Sequence, residues 1–180
     1  GSRGAVKVRI ISESEMNFGK FDESKLFYIE ASKVYKELGT GIKTVEFILK
    51  HNDDSIIFLE AKKTCPNVAN RYESVDKEQK FEDYYKSITE KFISSLQVYL
   101  ATVLKKDRDI SEVGKDLQSA DNIRDNEMKF VLVVKNAKNE SWLAGPLAEL
   151  KNRLLQVRKI WGVKVIVLNE ELAKEYKLIC

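Results

Sequence analysis

Glu46, Glu60 and Lys62 are the residues of this chain whose types and spacing suit phosphodiester chemistry. They lie in the stretch TVEFILKHNDDSIIFLEAK, residues 44–62. Two apolar runs rich in β-branched and aromatic residues, 45–49 and 56–59, flank the polar, turn-forming HNDDS. The pattern predicts one antiparallel β-hairpin. Centred near Asp53, it sets Glu46 across from Glu60, and because strand side chains alternate with period two, Glu46, Glu60 and Lys62 share a face. A two-residue turn would instead slip the pairing by one and send the two glutamates to opposite faces.

Like charges opposed across a strand pair are destabilising unless positive charge lies between them. A divalent cation together with Lys62 would supply it. The alternative is a solvated amphipathic face on which Lys62 simply pairs with one glutamate. Ile48, Ile56 and Phe58 fall on the same face, which is therefore apolar toward the turn and charged at the other end. A sheet with a site at its edge has that composition.

The triplet Glu60-Ala61-Lys62, with Glu46 on the preceding strand, resembles the PD-(D/E)XK nuclease superfamily, the restriction-endonuclease-like fold. The resemblance covers residues 22–105 and rests on a short motif, with glutamate in place of the usual aspartate at the upstream position. It implies a metal-dependent nuclease acting on DNA or RNA with Mg2+ or Mn2+ as cofactor. Glu46 and Glu60 would be ligands, the Ala61 backbone carbonyl a further one, and Lys62 the catalytic cation. Members often add a glutamate from the preceding helix, and Glu30 is the candidate, on the flank of the stripe Phe27, Ala31, Val34 and Leu38. Gln97 and Tyr99 invite comparison with a glutamine and tyrosine of some members. The stripe Phe81, Tyr85, Ile88, Phe92, Tyr99 and Val103 fixes the buried face of that helix, and Gln97 points away from it.

Around this motif the chain reads as layered α/β. A strand is expected at 6–11, then a polar stretch to Lys20, then a helix capped by Asp22 or Ser24 and running to Leu38, stopped by Gly39 and Gly41. After the hairpin, Pro66 forbids a continuing strand, and a long helix from about Ser74 to Lys105 follows, packed on a sheet or in a coiled coil. Residues 105–127 are strongly polar and read as a mobile excursion with a short helix. MKFVLVVKN, the helix after Pro146 and VKVIVLN then make a βαβ unit with parallel strands, closed by a last helix over 170–177. The fold class is therefore α/β, a central mixed β-sheet containing a β-hairpin and a parallel βαβ unit, with helices on both faces, as the nuclease resemblance also implies.

At 180 residues the chain has the size of a single domain, and 43% hydrophobic with 33% charged residues excludes a disordered composition. The net charge of +3 neither announces nor excludes nucleic acid. Two cysteines, Cys65 and Cys180, are too few for a disulfide framework and lack metal-ligand spacing, so free thiols and a cytoplasmic location are expected. No apolar run is long enough to span a bilayer, so no membrane partner is expected, and the GSRG start reads as a domain cut from a longer protein. His51 reads as a surface residue beside the turn. Lys151, Arg153, Arg158 and Lys159 surround the apolar stripe of the helix after Pro146 and form either a nucleic-acid-binding surface or an ordinary solvated face. Oligomeric state stays open, a homodimer included. Beside the nuclease reading stand a catalytically inactive nuclease-like α/β module, in which Lys62 permanently pairs with Glu60, and a domain that binds nucleic acid without cleaving it.

Overall fold

The computed structural model describes residues 6–180. Among them, strands β1 (Val8–Glu13) and β2 (Met16–Asp22) form a separate antiparallel hairpin. Ser14 and Glu15, with φ of 51° and 61°, make its tight turn; positive φ at both central residues matches the right-handed strand twist. The polar stretch expected between a first strand and a first helix is therefore largely β2. Its alternation is visible in the burial of Met16, Phe18 and Phe21 on one side.

The expected helix over 22/24–38 is broken into pieces. A turn of 3-10 helix at Glu23–Lys25, the two-residue strand β3 (Leu26–Phe27), another such turn at Ile29–Ala31 and the short helix α1 (Lys33–Glu37) replace it. Leu26 and Phe27 pair antiparallel with Leu49 and Ile48, so the backbone groups a helix would have used go into a sheet ladder. Phe27 and Val34 are buried all the same. Ser32 caps α1 by accepting from the Tyr35 N–H at 3.1 Å.

Strands β4 (Phe47–His51) and β5 (Ser55–Lys62) are the hairpin expected from the sequence. Asn52 and Asp53 take positive φ, 52° and 57°, conformations these two residue types tolerate. His51 pairs with Ser55 and Phe47 with Leu59, the register centred on Asp53. The long helix α2 (Val75–Leu104) follows, capped by Ser74, and packs on the sheet rather than in a coiled coil. Residues 105–126 hold α3 (Asp121–Asp125). This polar segment is anchored: Val113 and Leu117 are buried, the Gly114 N–H donates to the Leu26 carbonyl at 2.9 Å, and the Tyr99 hydroxyl donates to the Leu117 carbonyl at 2.7 Å.

Strand β6 (Glu127–Val134) runs parallel to β5, and β7 (Lys164–Asn169) parallel to β6. The helix between them is two, α4 (Ala144–Arg153) and α5 (Leu155–Trp161), broken at Leu154; α6 (Glu170–Glu175) comes last. Together the described strands give a five-stranded mixed sheet in the order β3-β4-β5-β6-β7, the α/β architecture with a hairpin and a parallel pair. One face carries Ile48, Ile56, Phe58, Phe130 and Leu132 against α2 and α4. The other carries Phe47, Leu49, Ile57, Leu59 and Val131 against the β1–β2 hairpin and α6, so a β-ribbon does much of the covering expected of helices. His51 is not a surface residue: it is buried and stacked on Tyr176, ring centroids 5.6 Å apart, and burial pushes its pKa down. Both cysteines are free, and no described helix is long and apolar enough to cross a membrane.

A Cβ on Gly114 would meet the carbonyl oxygens of Ser24, Glu23 and Leu26 at 2.6–2.7 Å, all backbone atoms that cannot swing away. Gly114→Ala is accordingly expected to destabilise the protein by about 2 kcal/mol. Urea unfolding checks this, and an unchanged midpoint would show that the 105–126 segment is not seated against β3.

Candidate metal and phosphate site

Sheet geometry brings the carboxylates together at the end of β5. Glu46 lies one residue before β4, where the chain leaves the ladder: its N–H donates to the Leu59 carbonyl at 3.0 Å, whereas the Val45 N–H is taken by the Ser95 hydroxyl of α2 at 2.8 Å. Glu46 is 7% exposed and Glu60 0%. The Glu60 carboxylate faces α2, where the Lys91 ammonium holds Oε1 at 3.1 Å. Glu46 neighbours both Glu60 and Glu30, whose negative charges act on it. Glu30 belongs to the 3-10 turn at Ile29–Ala31 rather than to a helix, and is exposed.

One further carboxylate completes the arrangement. Glu13, at the end of β1, has a carboxylate oxygen within 4.8 Å of oxygens of both Glu30 and Glu46, and it accepts from the Tyr28 hydroxyl at 3.3 Å. The hairpin tip that carries it is latched to the sheet. Ser14 donates to the Ala61 carbonyl at 3.1 Å, Lys63 pairs with Glu15 at 3.0 Å, and the Lys135 ammonium donates to the Glu15 carbonyl at 2.8 Å. The Ala61 carbonyl thus already has a protein donor, with one lone pair left. Lys62 does not make the ion pair with Glu60 that a purely structural reading assigns to it; Lys91 does, and the Lys62 ammonium lies 5.9 Å from the centre of the Tyr84 ring.

Burial sets the electrostatics. It raises the Glu46 pKa far above the carboxylate range, and the neighbouring Glu30 and Glu60 push the same way. Burial raises Glu60 too, with Lys91, Glu46 and Lys62 opposing, and it raises Glu13, helped by Glu30. At Lys91 burial acts downward but the Glu60 carboxylate outweighs it, so its pKa ends above the ordinary lysine value. One oxygen each of Glu46 and Glu60, both Oε2, is buried without a hydrogen-bond partner among the described residues. Buried carboxylate oxygens left unpaired are costly, and an oxygen-seeking divalent cation is a group that fits them.

Of the residues singled out from sequence, Glu46, Glu60, Lys62 and Glu30 converge here. The basic residues of the helix after Pro146 do not join them. Arg153 is engaged with Glu149 and Glu82, both at 2.7 Å, tying α4 to α2. Arg158 donates to the Lys151 carbonyl at 3.1 Å across the α4–α5 break, which leaves Lys151 and Lys159 as exposed cations. Sequence reasoning missed Glu13 and Lys91. Lys91 had a signal, since it lies three residues after Ile88 on the flank of the buried stripe, where a cation can reach an acid buried in the sheet below. Glu13 had none without the hairpin turn at Ser14–Glu15. Compared with protein-family models, curated proteins and solved structures, the chain matches none.

Because the folded protein holds the Glu46 proton to higher pH than the unfolded chain does, the contribution of Glu46 to metal-free stability is fully present below the ordinary carboxylate pKa and is lost as pH rises above it. Glu46→Gln, uncharged at every pH, is expected to be more stable than wild type by about 2 kcal/mol at pH 8 in EDTA and no more stable at pH 4. Urea unfolding at the two pH values checks this; equal midpoints at pH 8 would mean that Glu46 is not desolvated.

Proposed function

We propose that this protein is a metal-dependent nuclease of the restriction-endonuclease-like kind, hydrolysing phosphodiester bonds of DNA or RNA. The observation that carries the reading is the pair of buried, unpartnered oxygens on Glu46 and Glu60, beside the further carboxylates of Glu13 and Glu30 and a lysine two residues after Glu60. The antiparallel β3-β4-β5 meander, the helix α2 and the parallel strand β6 agree with that fold.

Glu46, Glu30 and Glu13, whose oxygens lie within 4.8 Å of one another, would hold Mg2+ or Mn2+, with Glu60 and the Ala61 carbonyl as additional oxygens. A bound divalent ion supplies Lewis acidity toward the phosphate and lowers the pKa of a water. The chain's own residues do the remaining work. Lys62 presents its ammonium to the negative charge that builds on the phosphate oxygens, a preorganised electrostatic contribution. Lys91 opposes the rise that burial imposes on the Glu60 pKa and fixes its orientation through Oε1, leaving Oε2 for a ligand. Tyr28 orients Glu13, and the Ser14–Glu15 latch holds that strand end in place. A second reading, an inactive nuclease-like module used for interaction or nucleic-acid binding, draws on the same Lys91 contact, which gives Glu60 a counter-ion with no metal at all.

Calorimetric titration with Mn2+ and cleavage assays on single-stranded and duplex DNA and RNA separate the two. Lys62→Ala is expected to retain Mn2+ binding and lose cleavage by about 100-fold or more. Glu46→Gln is expected to lose both. No Mn2+ binding to the wild type, or cleavage indifferent to both substitutions, would overturn the nuclease reading.

A further inference from the structure

A cavity of about 420 Å³ opens beyond the C-terminal ends of β5 and β6, its wall beginning two residues after Lys62. Its position is fixed by the backbone. Thr64, on its wall, lies two residues beyond Lys62, roughly 7 Å along an extended chain. The Thr64 carbonyl accepts from the hydroxyl of Tyr84, the same ring over which the Lys62 ammonium sits. The Asn136 N–H donates to the Lys63 carbonyl and so holds Asn136, another lining residue, next to that segment. The volume lies in the range of small-ligand pockets, roughly 300–1,000 Å³.

The lining suits a flat, heteroaromatic group. Trp142 is 60% exposed although it borders the cavity, which leaves its indole open for stacking. Pro66 and Pro146 add flat apolar walls, and the exposed side-chain amide of Asn136 offers both a donor and an acceptor. A second depression shares Thr64 to Asn67 with the first and is bordered by Lys77 and Lys80, while Arg71 on its rim is held by Glu82 and Glu149. Lys77 and Lys80 pair with Glu73 and Asp76, acids one turn earlier on the surface, weak partners that a phosphate can replace. An aromatic slot beside a cationic strip is the pairing that single-stranded nucleic acid requires.

We propose that this cavity takes one unpaired nucleobase of a strand whose phosphate lies at Lys62, stacked on Trp142 and read at its edge by Asn136, with the flanking backbone over Lys77 and Lys80. The proposal rests on the nuclease reading and narrows its substrate class to single-stranded or frayed nucleic acid, because a base paired in a duplex cannot enter the slot.

The test uses the whole chain in EDTA, where cleavage does not interfere. Fluorescence anisotropy follows binding of an eight-nucleotide fluorescein-labelled DNA, its RNA equivalent and a blunt hairpin duplex. Wild type is expected to bind a single strand more tightly than the duplex. Trp142→Ala is expected to weaken single-strand binding about 10-fold or more, whereas Trp142→Phe, which keeps a stacking face, retains most of it. No single-strand binding by wild type, equal affinity for the duplex, or a Trp142→Ala variant that is folded by circular dichroism and binds as wild type would overturn the proposal. The two readings fail separately. Trp142-dependent binding with no cleavage in Mg2+ or Mn2+ leaves the slot and removes the nuclease, while Lys62-dependent cleavage indifferent to Trp142 does the reverse.

Discussion

Negative charge withdrawn from water is the constraint around which this end of the molecule is organised. Glu60 sits in the middle strand of a five-stranded sheet with no exposed surface, and Glu46 beside it is almost as deeply enclosed. Desolvating two adjacent carboxylates is costly, and the surroundings answer only part of that cost. Lys91 reaches down from α2 to one oxygen of Glu60, and Oε2 of Glu60 and of Glu46 has no donor among the described residues. The apolar packing of α2 on Ile48, Phe58 and Phe130 is what makes such an arrangement sustainable, because it holds the strands rigidly while the acids strain against one another.

The parity of one turn decides whether this site exists at all. Three residues, Asn52 to Asp54, join His51 to Ser55, and the two that need positive φ are an asparagine and an aspartate. Deleting one residue from that turn would rotate every side chain of β4 to the other face and move Glu46 into the layer lined by the β1–β2 hairpin. This was legible in the sequence, because HNDDS lies between two apolar runs whose alternation has a definite phase. The long helix and the βαβ unit were legible for the same reason: their apolar periods extend over many residues.

What the sequence concealed is short or non-local. The stripe Phe27, Ala31, Val34 and Leu38 has helical spacing, yet Leu26 and Phe27 form an edge strand, because pairing with β4 outweighs local periodicity over so few residues. Residues 14–22 look polar and loop-like, but Met16, Phe18 and Phe21 alternate inward once a hairpin brings them to the sheet. That one misreading hides Glu13, since only the hairpin carries it to Glu46. Arg153 reads as a free cation on a helix surface and is in fact held by Glu82, 71 residues away. Local pattern cannot report a partner at that separation.

The latch at the tip of the β1–β2 hairpin has a consequence for the order of events during synthesis. Ser14 reaches Ala61 across 47 residues, and Lys135 reaches the Glu15 carbonyl across 120. Glu13 and its neighbours leave the ribosome early, but Ala61 and Lys63 emerge only with the end of β5, and Lys135 only after α2 and β6 have been made. Contacts of such sequence separation form late, after the loop-closure entropy has been met. The acidic centre therefore stays unassembled in the nascent chain until most of the sheet is in place, which builds a delay between translation and any chemistry this centre performs.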